Sequence, residues 1–345
     1  MHEGPYLLIV AGPGTGKTAT LVARTARLAS SLPAGQKALA VTFTNKAAGE
    51  LNDRLARQGI PADRYEAATF HAFALTLLRR YHARLKFPLA FSVVAPDEVE
   101  FLAAELWPDV PAKERRARLK RVSAWKASLE AATADPDILA FRRFLRDKEC
   151  VDFDDILRDT VFLLRDDASV RDEVRSAYRH ILVDEYQDMN AMQEELLKLM
   201  AGDGVSVSAI GAPNQAIYGF RGSDAALFER FSGVFSPCTV LALEKNYRSS
   251  ENLLAASTQV IARAPRFKVP ALAATLPPHG VLTEHAAYSD RAEASYVARE
   301  IQAIIGGTGL APRAARAACA ARAADAWASF GDIAVLYRLN AQAAR

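Results

Sequence analysis

A chain of 345 residues has room for about two domains, or for one domain interrupted by another. Half of the residues are hydrophobic and 24% are charged, which excludes a mainly disordered or fibrous chain. Against 40 acidic residues stand 43 basic ones, for a net charge of +3 and a pI near 8.7, so any basic surface must be a local patch. The three cysteines, Cys150, Cys238 and Cys319, lie too far apart for a zinc site or a disulfide framework and fit a reducing cytoplasm. The sequence holds no run of about 18 apolar residues, and its first residues lead at once into a short apolar run, not a signal peptide. The expectation is a cytoplasmic protein with no membrane segment.

Short apolar runs at 6–10 and 38–43 alternate with helical patterns at 17–30 and 46–58, the rhythm of βαβ units and a parallel sheet. In the second helix Ala47, Ala48, Leu51 and Leu55 recur at helical spacing, so one face can cover the sheet while Glu50, Asp53 and Arg54 meet water. Between 88 and 172 the strand signals vanish and helical patterns at 97–107, 113–130 and 137–148 read as an all-helical insertion. Strand patterns return at 180–184, 205–211 and 239–243, so the first sheet resumes after the insertion. A new region begins at Glu244, with helices at 251–264 and 290–305 and a strand at 333–337. Between these, 311–325 is rich in Ala and Arg and reads as a variable loop or marginal helix. The division is therefore 1–87 and 173–243 for one discontinuous domain, 88–172 for its insertion, and 244–345 for a second, partial domain.

The strongest local signal is Ala11-Gly12-Pro13-Gly14-Thr15-Gly16-Lys17-Thr18, which follows a strand and opens a helix. Small residues let backbone N–H groups curl around phosphate oxygens, and the helix N-terminus adds its positive end. Lys17 reaches the β and γ phosphates, and the Thr18 hydroxyl suits Mg²⁺. The partner of such a loop is an acidic pair at the end of another parallel strand, which Ile181-Leu182-Val183-Asp184-Glu185 supplies. Asp184 suits the metal ion, and Glu185 suits the base that takes a proton from attacking water.

Extended to Asp184-Glu185-Tyr186-Gln187-Asp188, this block resembles the superfamily 1 DNA helicases of the UvrD, Rep and PcrA type. Further blocks follow in the family's order: Val41-Thr42-Phe43-Thr44-Asn45-Lys46, Thr69-Phe70-His71, Gly211 to Gly222, and Leu243-Glu244-Lys245-Asn246-Tyr247-Arg248-Ser249. The resemblance implies a RecA-like α/β fold: a P-loop parallel sheet with the helical insertion, plus the start of a second RecA-like motor domain. It also implies an ATP- and Mg²⁺-dependent translocase that moves 3′ to 5′ on single-stranded DNA and acts at junctions of single- and double-stranded DNA.

By the same resemblance Gln215 senses the γ-phosphate, Arg248 stabilises charge on it, and Tyr247 stacks on adenine. Phe43, Thr44, Asn45, Thr69, Phe70, His71, Tyr218 and Phe220 line the DNA track, with aromatic faces for base stacking, and Arg221 couples that track to nucleotide state. For Phe43 and Phe70 core packing remains an open alternative. The basic stretch Lys113, Arg115, Arg116, Arg118, Lys120, Arg121 and Lys126 is either a contact to duplex phosphates or a solvated helix face. Asp152 reads as a helix N-cap with acids in the first turn, and no metal is assigned to it.

The sequence departs from the family pattern in several places. Only ten residues precede Ala11, leaving out an upstream adenine-reading Gln segment. Ala19 stands where relatives often carry Arg, Ala212 where they carry Asp, and motifs V and VI are absent. The reading is a piece of a longer helicase, poorly active by itself. The alternative is a non-hydrolysing nucleotide- and DNA-binding module. A P-loop kinase or GTPase is disfavoured, because no guanine-reading motif is present.

Overall fold

Parallel strands covered on both faces should read as near-continuous apolar runs, and the first of them, β1 (Tyr6–Ala11), is Tyr-Leu-Leu-Ile-Val-Ala. The computed structural model describes residues 4–217, 219, 224, 226–263, 271–278, 281–305, 329–337 and 342. Its contacts divide the chain into one unit of residues 1–280 and another of 281–345. In the first, β1 is followed by α1 (Lys17–Ser31), β2 (Lys37–Thr42), α2 (Asn45–Arg57), β3 (Tyr65–Thr69) and α3 (Phe70–Arg80). The chain then runs through β4 (Ser92–Val93), α4 (Pro96–Leu106), α5 (Ala112–Lys126), α6 (Pro136–Asp147), β5 (Cys150–Val151), α7 (Phe153–Asp166) and α8 (Ala168–Ala177). It returns to the sheet with β6 (Tyr178–Val183), α9 (Ala191–Met200), β7 (Ser206–Gly211), α10 (Ala226–Val234) and β8 (Cys238–Leu243). The unit closes with β9 (Lys245–Ser250), α11 (Glu251–Ala262) and β10 (Ala273–Leu276), β9 and β10 pairing as a small parallel sheet.

The main sheet has six strands in the order β3-β2-β6-β7-β1-β8, and every neighbouring pair is parallel. Alternate residues of each strand enter opposite cores. Leu8, Leu39, Val41, Ile181, Val183 and Val207 pack with residues of α3, α7, α9 and α10. Leu7, Ile9, Ala38, Ala40, Leu182 and Ile210 pack with residues of α1 and α2. This is the three-layer α/β arrangement of a RecA-like domain.

The insertion has a core of its own, in which Val94, Ala103, Trp107, Val122, Trp125, Ile138, Phe141 and Leu145 meet. The sequence pattern led to an all-helical insertion, and the structure corrects this: β4 and β5 pair in parallel through Ser92↔Cys150 and Val93↔Val151. Entry and exit of an insertion must lie side by side, and this short ladder satisfies their backbone groups. Helix α5 ends at Lys126 instead of running to 130. There Arg158 of α7 donates to the carbonyls of Trp125 (3.1 Å) and Ser128 (2.8 Å), and also to that of Glu130, which closes the helix end.

Asp152 is the N-cap of α7, accepting from Asp155 N at 2.9 Å. It also accepts from Lys126 Nζ at 2.6 Å, and Asp155 does so at 2.8 Å. The Lys126 side chain is 0% exposed, so it leaves the candidate basic patch altogether. Of the remaining patch residues, Arg116 pairs with Glu100 at 3.2 Å. Arg118 pairs with Glu114 and Asp137, both at 2.8 Å, and Arg121 pairs with Asp135 at 3.4 Å. Much of the patch charge is neutralised within the insertion.

In the second unit α12 (Asp290–Ile305) carries Tyr296, on whose ring that of His285 stacks with centroids 3.7 Å apart. The strand expected at 333–337 is not formed: these residues carry no regular structure. A strand needs a neighbour to take its backbone hydrogen bonds, and among the described residues none pairs with it. Among the described residues no helix is long and apolar enough to cross a membrane.

Candidate functional site

In a parallel sheet the carboxyl ends of all strands share one edge, and ligands bind in the crevice outside it. Here β1 delivers the phosphate loop to that edge. Gly14 and Gly16 have φ of 71° and 86°, the left-handed region that glycine enters at least cost. Thr15 Oγ1 donates to Gly12 O at 2.9 Å and braces the loop from inside. Gly16 is the N-cap of α1 and offers no side-chain cap, so the first N–H groups of the helix face the loop without a local competitor.

Lys17 and Thr18 stand in the first turn of α1. Lys17 Nζ donates to Gln215 Oε1 at 3.0 Å and lies 3.8 Å from Glu185 Oε1. Three segments far apart in sequence, following β1, β6 and β7, thus converge on one ammonium group. Its side chain keeps 12% of its surface exposed.

Glu185 sits in the turn after β6 with φ 49° and ψ 46°, a conformation that costs on the order of 1 kcal/mol for a non-glycine residue. The turn is held because Asp184 N donates to Val41 O at 2.8 Å and Glu185 N to Asp184 Oδ1 at 3.1 Å. Burial pushes the Asp184 carboxyl up to about 6, with the Glu185 charge adding to it. Asp188 is raised to about 6 in the same way, by burial first and by Glu185 second. A carboxylate and a hydroxyl, from Asp184 and Thr18, are the hard oxygen donors that Mg²⁺ prefers. A dication beside Asp184 would reverse the shift by favouring its ionised form, so these residues fit the ion.

Gln187 is a site residue that reading the sequence missed. Its Nε2 donates to Glu185 Oε2 at 2.8 Å and its Oε1 accepts from Ala212 N at 2.9 Å. It therefore joins the acidic turn to the Gln215 segment. Gly211 makes room for it, since a Cβ there would lie 2.5 Å from Gln187 Oε1. Ala212 is itself buried at this link.

The segment after β8 folds back over the loop. Tyr247 N donates to Gly14 O at 2.8 Å and Asn246 Nδ2 to Pro13 O at 2.7 Å. This brings Tyr247, which is 60% exposed, and Arg248 to the phosphate loop.

The residues expected on a DNA track are partly gathered. Thr44 and Thr69 are the N-caps of α2 and α3, accepting from Ala47 N and Ala72 N at 3.1 Å each. Two helix N-termini thus follow neighbouring strands β2 and β3 on the same edge. Asn45 is exposed, and Phe43 and His71 are half-buried.

Phe70 does not join them. It is 4% exposed and packs in the core beneath the sheet, so its ring fills volume under α3 and offers no face to a base. Phe153, missed from sequence, is the ring beside His71 instead: it is 48% exposed, and its ring centroid lies 5.6 Å from that of His71. A lone Phe beside a helix cap carries no sequence signal for this, because His71 is 82 positions away. Tyr218, Phe220 and Arg221 lie outside the described residues.

Comparison with known proteins agrees with this geometry. Residues 1–236 match the family model for the UvrD/REP helicase N-terminal domain. The chain is 31% identical over 376 residues to the ATP-dependent DNA helicase UvrD1 of Mycobacterium leprae, covering 99% of this chain and 46% of that protein. It is 32% identical over 383 residues to ATP-dependent DNA helicase UvrD2 of Mycobacterium bovis, covering 99% of this chain and 51% of that protein. To the ATP-dependent DNA helicase PcrA of Staphylococcus aureus it is 30% identical over 361 residues, 99% of this chain and 46% of that protein. The chain spans about half the length of the curated relatives it matches. The phosphate loop, the acidic turn after β6 and the segment after β7 all fall within the matched residues, and the chain belongs to the UvrD/REP helicase N-terminal domain family.

Proposed function

We propose that this chain is the ATP-binding motor portion of a DNA helicase that hydrolyses ATP to move 3′ to 5′ along single-stranded DNA and to open duplex at a junction. The observation that carries the reading is Lys17 Nζ, 3.0 Å from Gln215 and 3.8 Å from Glu185. The three groups needed around a terminal phosphate already meet at one point.

Triphosphate oxygens displace Gln215 and Glu185 from the ammonium and take its charge, while loop N–H groups cradle the β-phosphate. Thr18 and Asp184 would hold Mg²⁺, which when bound would supply neutralisation of phosphate charge. Glu185, held by Gln187 at one oxygen, accepts the proton of the attacking water, and Gln215 orients that water. Arg248 meets the charge that develops on the transferred phosphoryl group. Tyr247 offers its exposed ring to the adenine.

For DNA, the caps Thr44 and Thr69 accept a backbone N–H with one lone pair and keep their own protons to donate to phosphate oxygens. The helix N-termini favour the same anions. His71 and Phe153 provide ring faces for an unpaired base.

ATP hydrolysis with and without single-stranded DNA tests the proposal. Glu185→Gln is expected to keep ATP binding and to slow turnover by about 10²–10⁴, the usual share of a general base. Turnover in Glu185→Gln equal to that of the unaltered protein would remove Glu185 from the role of base.

A further inference from the structure

An arginine that meets charge on a terminal phosphate needs its backbone held against the phosphate loop. Arg248 is exposed and sits in β9, a strand outside the main sheet. The residue two places before it, Asn246, is 1% exposed and has partners at both ends of its amide. Its Nδ2 donates to Pro13 O at 2.7 Å, while its Oδ1 accepts from Arg248 N at 2.9 Å and Ser249 N at 2.8 Å. Its backbone carbonyl accepts from Thr275 Oγ1 at 2.9 Å, which ties the same residue to β10.

One amide therefore grips the phosphate loop with its donor and the arginine segment with its acceptor. The adjacent bond from Tyr247 N to Gly14 O, at 2.8 Å, fixes the register between the two segments. Packing leaves no slack: a Cβ on Gly14 would lie 2.6 Å from Arg248 Cβ and 3.0 Å from Asn246 Nδ2.

We propose that Asn246 is the positioning residue that sets Arg248 against the phosphate loop, so that the guanidinium is placed for the terminal phosphate and not for a diphosphate. The assignment rests on the nucleotide reading given above. Only asparagine meets the requirement at this length. Aspartate has no donor for Pro13 O, alanine has neither group, and glutamine is one methylene too long for a turn that closes on its own residues at two and three positions.

Titrating this chain, with Mg²⁺, against a fluorescent ATP analogue and its diphosphate counterpart tests the assignment. Asn246→Ala is expected to weaken triphosphate binding about tenfold and diphosphate binding less, the size of one lost buried hydrogen-bond set. Arg248→Ala is expected to show the same preference lost. The double variant should bind no more weakly than the worse single one, because both act through one group.

An unchanged triphosphate-to-diphosphate ratio in Asn246→Ala, or additive losses in the double variant, overturns the proposal. Should Asn246→Ala fail to fold, Asn246→Asp serves in its place. It keeps both acceptor bonds and breaks only the one to Pro13 O, and it too is expected to lose the preference for triphosphate. An unaltered preference in a folded Asn246→Asp overturns the proposal equally. If the unaltered chain binds neither nucleotide, the functional reading falls and the assignment with it. If it binds and Asn246 proves indifferent, only the assignment falls.

Discussion

Two lysines of this chain sit among acidic partners and behave in opposite ways. Lys126, in the insertion, is fully enclosed and bonded to Asp152 at 2.6 Å and Asp155 at 2.8 Å. Lys17, at the sheet edge, has one neutral partner at 3.0 Å and a carboxylate only at 3.8 Å, and it keeps part of its surface in solvent. The first cation is consumed by short bonds and the desolvation they offset. The second is held in place but left available, as a group must be if it is to exchange partners with a ligand. Asp152 is nonetheless raised to about 6, by burial and then by Asp155, which shows how closely charge and desolvation are balanced in the insertion.

The largest expected effect sharpens this contrast. Lys126→Ala strands two buried carboxylates and should cost about 3–5 kcal/mol, read as a lower urea midpoint. Lys17→Ala, at a partly open site, should cost less than about 1 kcal/mol while losing triphosphate binding. Equal destabilisation by the two would break the comparison.

The next pair separates a core ring from a track ring. Phe70→Ala should cost about 3–5 kcal/mol of stability. Phe153→Ala should leave stability within about 1 kcal/mol and weaken single-stranded DNA binding by about 1–3 kcal/mol. A Phe153→Ala protein with full DNA affinity would take that residue off the track.

The smallest effect is a pH dependence. Burial holds the His71 imidazole below its ordinary value, with the nearby Asp154 charge opposing in part. The unfolded chain therefore binds more protons near pH 6.5, and the stabilisation is complete above about 6.5 and fades as pH falls through the depressed value. His71→Gln should lose less of its denaturation midpoint between pH 7 and pH 5 than the unaltered chain. Parallel slopes would show that His71 titrates as it does in water.

The chemistry-bearing blocks were legible in the sequence because each depends on its own few residues. A strand running into Gly-rich turns with left-handed backbone and then a lysine can close in only a few ways, and Asp184-Glu185 follows directly from a strand of apolar residues. The strands at 6–10, 38–43 and 239–243 lie within about a residue of their observed limits. β3, Tyr-Glu-Ala-Ala-Thr, escaped notice because an edge strand needs fewer apolar residues. The strand read at 333–337 did not form, for want of a neighbour among the described residues. Phe70 and Phe153 look alike along the chain, each one residue after a helix cap, yet one is sealed and the other open.

Local pattern was thus enough to establish the parallel α/β class and the family, and to single out the Gly-rich loop and the acidic turn as the candidate site. Their chemistry is carried by backbone conformation and side-chain type over a few residues. Only the tertiary structure decided which charges and rings remain available: that Lys126 is locked away, that Phe153 and not Phe70 faces outward, and that Gln187 and Asn246 bind one segment to the next. Availability depends on what lies across the fold, and hydrogen bonds between residues as distant as Pro13 and Asn246 leave no mark on the residues that flank either one.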